Sequence, residues 1–141
     1  MADVSMAYGG MYLSSPTATT LSAATPAKAA GTTSSMGLNG FSHASNKLTY
    51  TGTATRVFQI AATLSASAAS ADTLTFFLYK NGALITGAEI DRKVSNNDIG
   101  AVAVSALVSL ATNDYVEVWV ESLGVANITL DYGQVIARVA G

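Results

Sequence analysis

Apolar and polar residues alternate with a period of two along most of the chain after residue 47, as is typical of β-strands with one face in a core. The clearest run is 56–65, in which Phe58, Ile60 and Leu64 share one face. No internal repeat with a period of roughly 20–50 residues appears, so solenoid and propeller folds are excluded. The pattern therefore predicts an all-β chain of short strands. The other predicted strands are 47–51, 73–80, 84–85, 89–94, 115–121 and 128–139.

Two turn signals and one ambiguous segment interrupt these strands. Asn81-Gly82 lies between apolar runs and predicts a tight hairpin, because both residues tolerate a positive φ. Residues 95–98, Ser-Asn-Asn-Asp, predict a second turn. The run 101–110 fits either a helix or a strand. Strand is favoured, because valines alternate with smaller residues and no N-terminal capping box precedes the run.

The N-terminal part of the chain has weaker periodicity. Residues 8–13 are aromatic and short enough to form a first strand. Residues 14–35 are rich in Ser, Thr and Ala and contain both prolines, Pro16 and Pro26. This composition fits an irregular arm or two edge strands joined by loops, since proline donates no ladder hydrogen bond. We treat residues 1–141 as one domain, with 1–35 as a strand or arm segment and 38–141 as the main body.

Composition favours association with other copies or with another protein. Half of the 141 residues are apolar and only 11% are charged, against roughly 25% in an average domain, so a monomer would expose weakly hydrated surface. A net charge of -2 argues against nucleic acid as a partner. The apolar stretch 99–111 is too short for a membrane helix. Residues 1–5 lack the basic start and the apolar core that are typical of a secretory signal, so we expect a soluble protein made in a cytoplasm.

The predicted strand 115–121 has two different faces. Val116, Val118 and Val120 form a β-branched core face. The other face carries both charged and aromatic residues, including Trp119, and a tryptophan is costly to leave in water. Aromatic residues on such faces suit either a subunit interface or cover by loops or a second sheet within one chain. We predict a trimer interface, and its proposed residues are Phe77, Tyr79, Tyr115 and Trp119.

Five motifs follow one another along the chain: Tyr50-Thr51-Gly52, Phe58-Gln59-Ile60, Leu78-Tyr79-Lys80-Asn81-Gly82, residues 110–118 (Leu-Ala-Thr-Asn-Asp-Tyr-Val-Glu-Val) and Tyr132-Gly133-Gln134-Val135-Ile136. Their order resembles the jelly-roll heads of the complement-type and tumour-necrosis-factor-like families. It is more closely similar to the version found in tailed-bacteriophage virion proteins, including capsid decoration proteins and head or tail appendages. The resemblance covers roughly residues 38–141 and implies a jelly-roll β-sandwich that assembles as a homotrimer. The secreted members carry a collagen-like or coiled-coil stalk, and the lack of one before residue 38 favours a compact virion component.

The resemblance implies a structural role on a virus particle. We expect a capsid decoration or cement protein, made in the host cytoplasm, that binds the major capsid protein and stabilises the phage head by bridging shell subunits. The alternative is a fibre-tip or appendage head that binds a host receptor or glycan. We expect the N-terminal segment to carry the attachment to the capsid, and its proposed residues are Tyr8, Met11, Tyr12 and Leu13.

Reactive chemistry has little support in the sequence. There are no cysteines, and the single histidine, His43, lies beside Ser42 with no acid nearby in the chain. Glu117 and Glu121 share a strand face but are better placed to solvate Trp119 than to act as an acid and base pair. Asp91 with residues 96–98 offers oxygen ligands for Ca²⁺, although a turn of this composition is usually only a turn. We therefore predict no enzymatic activity, no cofactor and no metal.

Overall fold

The computed structural model describes residues 6–124 and 127–140, and all regular structure in that part of the chain is β-strand. Residues 100–110 form a strand and not a helix, so the favoured alternative for that segment is confirmed. The strands are β1 (Tyr8–Ser15), β2 (Ala18–Thr19), β3 (Ala27–Lys28), β4 (Thr32–Asn39), β5 (Phe41–Ala44), β6 (Lys47–Tyr50), β7 (Arg56–Ala68), β8 (Asp72–Lys80), β9 (Ala83–Val94), β10 (Gly100–Leu110), β11 (Tyr115–Ser122) and β12 (Ile128–Val139).

The strands form two six-stranded antiparallel sheets packed face to face. Sheet A has the order β10-β7-β12-β1-β4, with β2 beside β12. Sheet B has the order β5-β6-β11-β8-β9, with β3 beside β11. The chain passes repeatedly from one sheet to the other, so neighbours in a sheet are often distant in sequence, as in a jelly roll.

The N-terminal segment belongs to the sandwich. β1 lies between β12 and β4 and pairs with both, so it is an interior strand of sheet A. After Pro16 the chain continues beside β12 as β2, then crosses to sheet B, where β3 begins directly after Pro26. Of the two alternatives for residues 14–35, the structure has short strands joined by loops, with each proline just outside a strand.

The core lies between the two sheets and contains the predicted inward faces. Phe58, Ile60 and Leu64 of β7 are buried, as are the three valines of β11. Phe58 packs edge-on against Phe41 and Tyr50, with ring centroids 5.2 and 4.8 Å away. The Tyr50 hydroxyl donates to the Ala54 carbonyl oxygen at 2.6 Å, and a Cβ on Gly52 would collide with the Tyr50 ring. This contact explains why glycine stands two residues after tyrosine in the first motif.

The hairpin after β8 forms at Asn81-Gly82, where φ is 53° and 80°, the conformation of a tight primed turn. The return strand differs from the prediction. We predicted two segments, 84–85 and 89–94, but the structure has the single strand β9. The pairing register shifts between Phe77 and Tyr79, and Gly87 has a φ of 82°. This irregularity interrupts the alternation without ending the strand, which is why the sequence pattern appeared to break there.

Asp114 joins the ends of three strands. Its carboxylate accepts hydrogen bonds from Asn81 Nδ2 and from the Ala111 N–H, each at 2.8 Å, and lies 3.4 Å from Lys80 Nζ. Its carbonyl oxygen accepts from the Tyr50 N–H at 2.8 Å. Burial acts to raise the pKa of Asp114, but the hydrogen bonds and the Lys80 charge outweigh it and hold that pKa below its ordinary value. The Asn-Asp motif before β11 is therefore a structural junction.

Replacing Asp114 by asparagine should lower the free energy of unfolding by about 1 kcal/mol at pH 7, because one acceptor oxygen becomes a donor. A carboxyl whose pKa is lowered on folding stabilises above its unfolded pKa and loses that effect as the pH falls through its folded pKa. The difference between the two proteins should therefore shrink as the pH falls below the ordinary pKa of an aspartate, about 3.9. Urea unfolding at pH 7 and pH 3 measures it, with Asp98→Asn, in an exposed turn, as the control. A deficit of equal size at both pH values would exclude the charge as its cause.

Candidate functional site

Three aromatic side chains form a stack on the outer face of sheet B. Phe77 and Tyr79 of β8 and Trp119 of β11 lie on the side of the sheet opposite the core. The rings of Tyr79 and Trp119 are parallel within 7°, with centroids 4.3 Å apart. Phe77 meets Tyr79 edge-on at 5.9 Å. Tyr115, on the same face, instead lies under Lys47 Nζ, 4.3 Å from its ring centroid. We call Phe77, Tyr79 and Trp119 the aromatic stack.

The structure thus brings together three of the four residues that we predicted at a trimer interface. Phe77 is only 5% exposed within a single chain, while Tyr79 and Trp119 are half-buried. Much of their aromatic area is therefore already covered by neighbours in the same chain, as in the alternative considered above. The assignment of these residues to an interface between copies stays a prediction.

Glu117 holds Trp119 in place. Its carboxylate is buried and accepts a hydrogen bond from Trp119 Nε1 at 3.2 Å. The other oxygen lies 2.7 Å from Nζ of Lys28, which β3 places directly opposite Trp119. Lys28 Nζ also donates to the Ser45 carbonyl oxygen at 2.6 Å. A buried carboxylate with these partners is a structural ion pair, and it fixes the orientation of the indole ring.

Further carboxylates surround the aromatic stack. Across the paired strands, Trp119 lies opposite Phe77, and Phe77 lies opposite Glu89. In the next row, Glu121 lies opposite Thr75, which donates a hydrogen bond to Asp91 at 2.7 Å. Burial, then the charge of Glu121, then that of Glu89 raise the pKa of the Tyr79 hydroxyl above its ordinary value. Lys93 follows Asp91 on the same side of β9, so the unpaired negative charge of this face is concentrated at Glu89 and Glu121, close to Tyr79.

The outer face of sheet A has a different character, with small residues around a few large apolar ones. Between Tyr12 and Tyr132 it is hollowed into an open groove of about 730 Å³. Leu107 on the edge strand β10 is 67% exposed, and Tyr132 is 76% exposed. The face carries the large apolar residues Tyr12, Leu107, Tyr132 and Ile136 and the small residues Ala61, Thr63, Ser65, Ala101, Ala103 and Ser105.

A β-bulge concealed part of this face from sequence analysis. The register of β12 against β7 shifts between Leu130 and Tyr132, so Asp131 and Tyr132 both lie on the outer side. Without the bulge, alternation from Ile128 would place Tyr132 in the core. The sequence signal that could have revealed the bulge is Gly133, because a Cβ at this position would collide with the Leu64 side chain. Within the described residues, Asp131 Oδ2 is buried and has no hydrogen-bond partner.

The four residues proposed for capsid attachment lie on β1 but on two different sides. Tyr8 and Tyr12 are exposed on the outer face of sheet A. Met11 is buried in the core, and Leu13 is half-buried against it. Only the two tyrosines are therefore open to a partner, and their role in attachment stays a prediction.

The single histidine belongs to a local hydrogen-bond network. Thr33 Oγ1 donates to Asn46 Oδ1 at 2.7 Å, so it accepts from His43 Nε2 at 2.8 Å. Asn46 Nδ2 in turn donates to the Gly31 carbonyl oxygen at 2.8 Å. His43 Nε2 is thus a donor in this network, which joins the loop before β4 to the β5–β6 hairpin. No acid completes a triad with Ser42 in the contacts of residues 6–124 and 127–140.

The structure also bears on metal and membrane sites. In the described residues no three His, Cys, Asp or Glu side chains come close enough to hold a metal ion. Asp91, considered for Ca²⁺ with residues 96–98, bonds to Thr75 instead. The described part of the chain also has no helix of the length and hydrophobicity needed to span a membrane.

Comparison with protein-family models and with curated protein sequences finds no match to this chain. Solved structures do share its architecture. Eiger TNF from S. frugiperda superposes with a TM-score of 0.68 at 10% identity, over 96% of this chain and 93% of that one. Murine APRIL gives a TM-score of 0.62 both at pH 5.0, with 10% identity, and at pH 8.5, with 11% identity, over 94% of this chain and 99% of that one. The likeness is one of fold, and this chain has a tumour-necrosis-factor-like jelly-roll fold.

Proposed function

We propose that the protein assembles as a homotrimer through the outer face of sheet A. The observation that carries this proposal is the distribution of charge between the sheets. Surfaces buried between copies are depleted in charged residues relative to surfaces that stay in water. The strands of sheet A contain three charged residues, Arg56, Asp131 and Arg138, whereas those of sheet B contain ten, Lys28, Lys47, Asp72, Lys80, Glu89, Asp91, Arg92, Lys93, Glu117 and Glu121.

The shape of the sheet A face supports a closed ring of copies. In a rotational ring, one surface of each copy meets a different surface of the next, so each copy must offer complementary patches. The groove between Tyr12 and Tyr132 is concave, and Leu107 protrudes at the edge of the same sheet. Small side chains between them allow close approach of a second backbone. Three copies related in this way would bury the exposed large apolar residues of the face. This proposal replaces the aromatic stack by the sheet A face as the meeting surface of the trimer.

For the biological role, we infer a structural virion protein that decorates and cements a phage head by binding its major capsid protein. The support is the resemblance of the motifs to virion proteins together with a chain of which only 11% is charged. Tyr8, at the end of β1, remains open to a capsid partner, whereas Tyr12 would lie in the trimer interface. The alternative role, an appendage head for a host receptor, predicts few copies on each particle instead of many.

Particles that lack the protein should release their DNA at a lower temperature than decorated particles. A trimer that binds only the assembled shell stabilises it by mass action, by about 2.7 kcal/mol per site at a free concentration 100 times Kd. DNA release on heating, followed with an intercalating dye, measures this before and after purified protein is added back. The protein with Tyr132→Asp, which should not form trimers, is the control and should protect less. Equal melting of bare and decorated particles would exclude the cementing role and leave the appendage alternative.

A further inference from the structure

We propose that the aromatic stack and its surrounding carboxylates form a docking surface for an arginine-bearing segment of a partner protein. The surface consists of Tyr79, Trp119, Glu89 and Glu121 on the outer face of sheet B. It lies outside the sheet A face, so a trimer built as proposed above leaves it in water. Its only dependence on the proposed function is this accessibility.

The charges on this face select a cationic partner. Glu117 is already paired with Lys28 and with the Trp119 N–H. Glu89 and Glu121 have no ion-pair partner among the described residues, and both raise the pKa of the Tyr79 hydroxyl. Asp91, in the row beyond Trp119, is offset by Lys93, which lies two residues later on the same side of β9, so the uncompensated charge is that of Glu89 and Glu121. The face therefore has unbalanced negative charge next to half-buried aromatic rings, and an anionic or neutral partner would leave that charge uncompensated.

The aromatic rings narrow the partner to arginine. A guanidinium group stacks on aromatic rings and forms two parallel hydrogen bonds with a carboxylate, whereas an ammonium group is a compact, strongly hydrated charge. The stack is held ready for such contact, because Glu117 fixes the indole and Tyr79 lies parallel to it at 4.3 Å. A partner that binds here then needs little rearrangement of these side chains.

Trp119 is the only tryptophan in the chain, so its fluorescence reports directly on this surface. The test titrates the intact protein with the peptide Gly-Arg-Gly-Arg-Gly-Arg, capped at both ends, and with the same peptide carrying Lys or Gln in place of Arg. We expect a saturable change with the Arg peptide, weaker binding of the Lys peptide and no change with the Gln peptide. Glu121→Gln should weaken binding of the Arg peptide about three- to fivefold, and Asp98→Asn, which removes the same charge elsewhere, should not.

Three results would overturn the proposal. The first is no saturable fluorescence change at millimolar Arg peptide. The second is a loss of Arg-peptide affinity in Asp98→Asn equal to that in Glu121→Gln. The third is a fluorescence response to a neutral oligosaccharide, such as maltohexaose, and not to the peptide. Light scattering on the same samples measures the oligomeric state, so failure of the docking surface can be distinguished from failure of the trimer. A trimer that ignores the peptide contradicts only the docking surface. Trp119 emission that changes as a trimer dissociates on dilution would place the stack between copies and contradict both proposals.

Discussion

Replacing Tyr132 by aspartate should convert the trimer into a folded monomer. Tyr132 is 76% exposed in the single chain, so a polar residue there should alter the free energy of unfolding of one chain very little. In the proposed trimer the same position is buried in each of three copies, next to the carboxylate of Asp131. An unpaired buried carboxylate costs several kcal/mol, which is on the scale of losing a strong interface anchor, worth about 2 kcal/mol or more, in every copy. Light scattering should change from three times the 14.4 kDa chain mass to that mass alone.

Two further variants make this experiment specific to the sheet A face. Leu123 is 68% exposed and lies outside that face, so Leu123→Asp adds the same charge at a similarly exposed position and should leave the trimer intact. Trp119→Ala tests the interface that we predicted from the sequence, and we now expect it to remain trimeric. A monomer from Trp119→Ala, with a trimer from Tyr132→Asp, would return the interface to sheet B. A wild-type protein that is monomeric at micromolar concentration would contradict both interfaces.

The strands of the main body could be predicted because one face of each is buried. In β7 and β11, burial of every second side chain imposes a period of two that survives in the sequence. Asn81-Gly82 could be located because a tight primed turn demands two positive φ values, which few residue pairs tolerate. These signals are local, so one sequence is enough to find them.

The irregular parts of the sheets could not be predicted in the same way. Gly87 in β9 and Asp131 in β12 each accompany a shift in pairing register, and the shift depends on the partner strand. At Asp131 the shift moves Tyr132 to the outer face, so the most exposed large apolar side chain there was not among the predicted site residues. Residues 14–35 were ambiguous for a related reason. The strands β2 and β3 in this segment have only two residues each, which is too few for a period to appear.

The aromatic residues show what burial patterns leave undecided. The sequence placed Phe77, Tyr79 and Trp119 on the non-core face of two strands, and the structure agrees. The sequence did not show that β3 would bring Lys28 to Glu117, because that contact joins residues far apart in the chain. The charge difference between the sheets became visible only once each strand had been assigned to a sheet. The function of a surface therefore required the topology as well as the pattern.

Replacing Phe58 by alanine should lower the free energy of unfolding by about 3–5 kcal/mol, because it leaves a cavity between the sheets. Phe58 is fully buried, and its ring contacts those of Phe41 and Tyr50 edge-on. Ile99 is 64% exposed in the loop before β10 and lies outside the sheet A face, so Ile99→Ala should change stability by no more than about 0.5 kcal/mol. Urea unfolding of both variants at one fixed protein concentration measures the difference, since the stability of an oligomer depends on concentration. The three rings join β5, β6 and β7. A decrease in the free energy of unfolding of less than about 1 kcal/mol in Phe58→Ala would mean that this aromatic cluster is not central to the core.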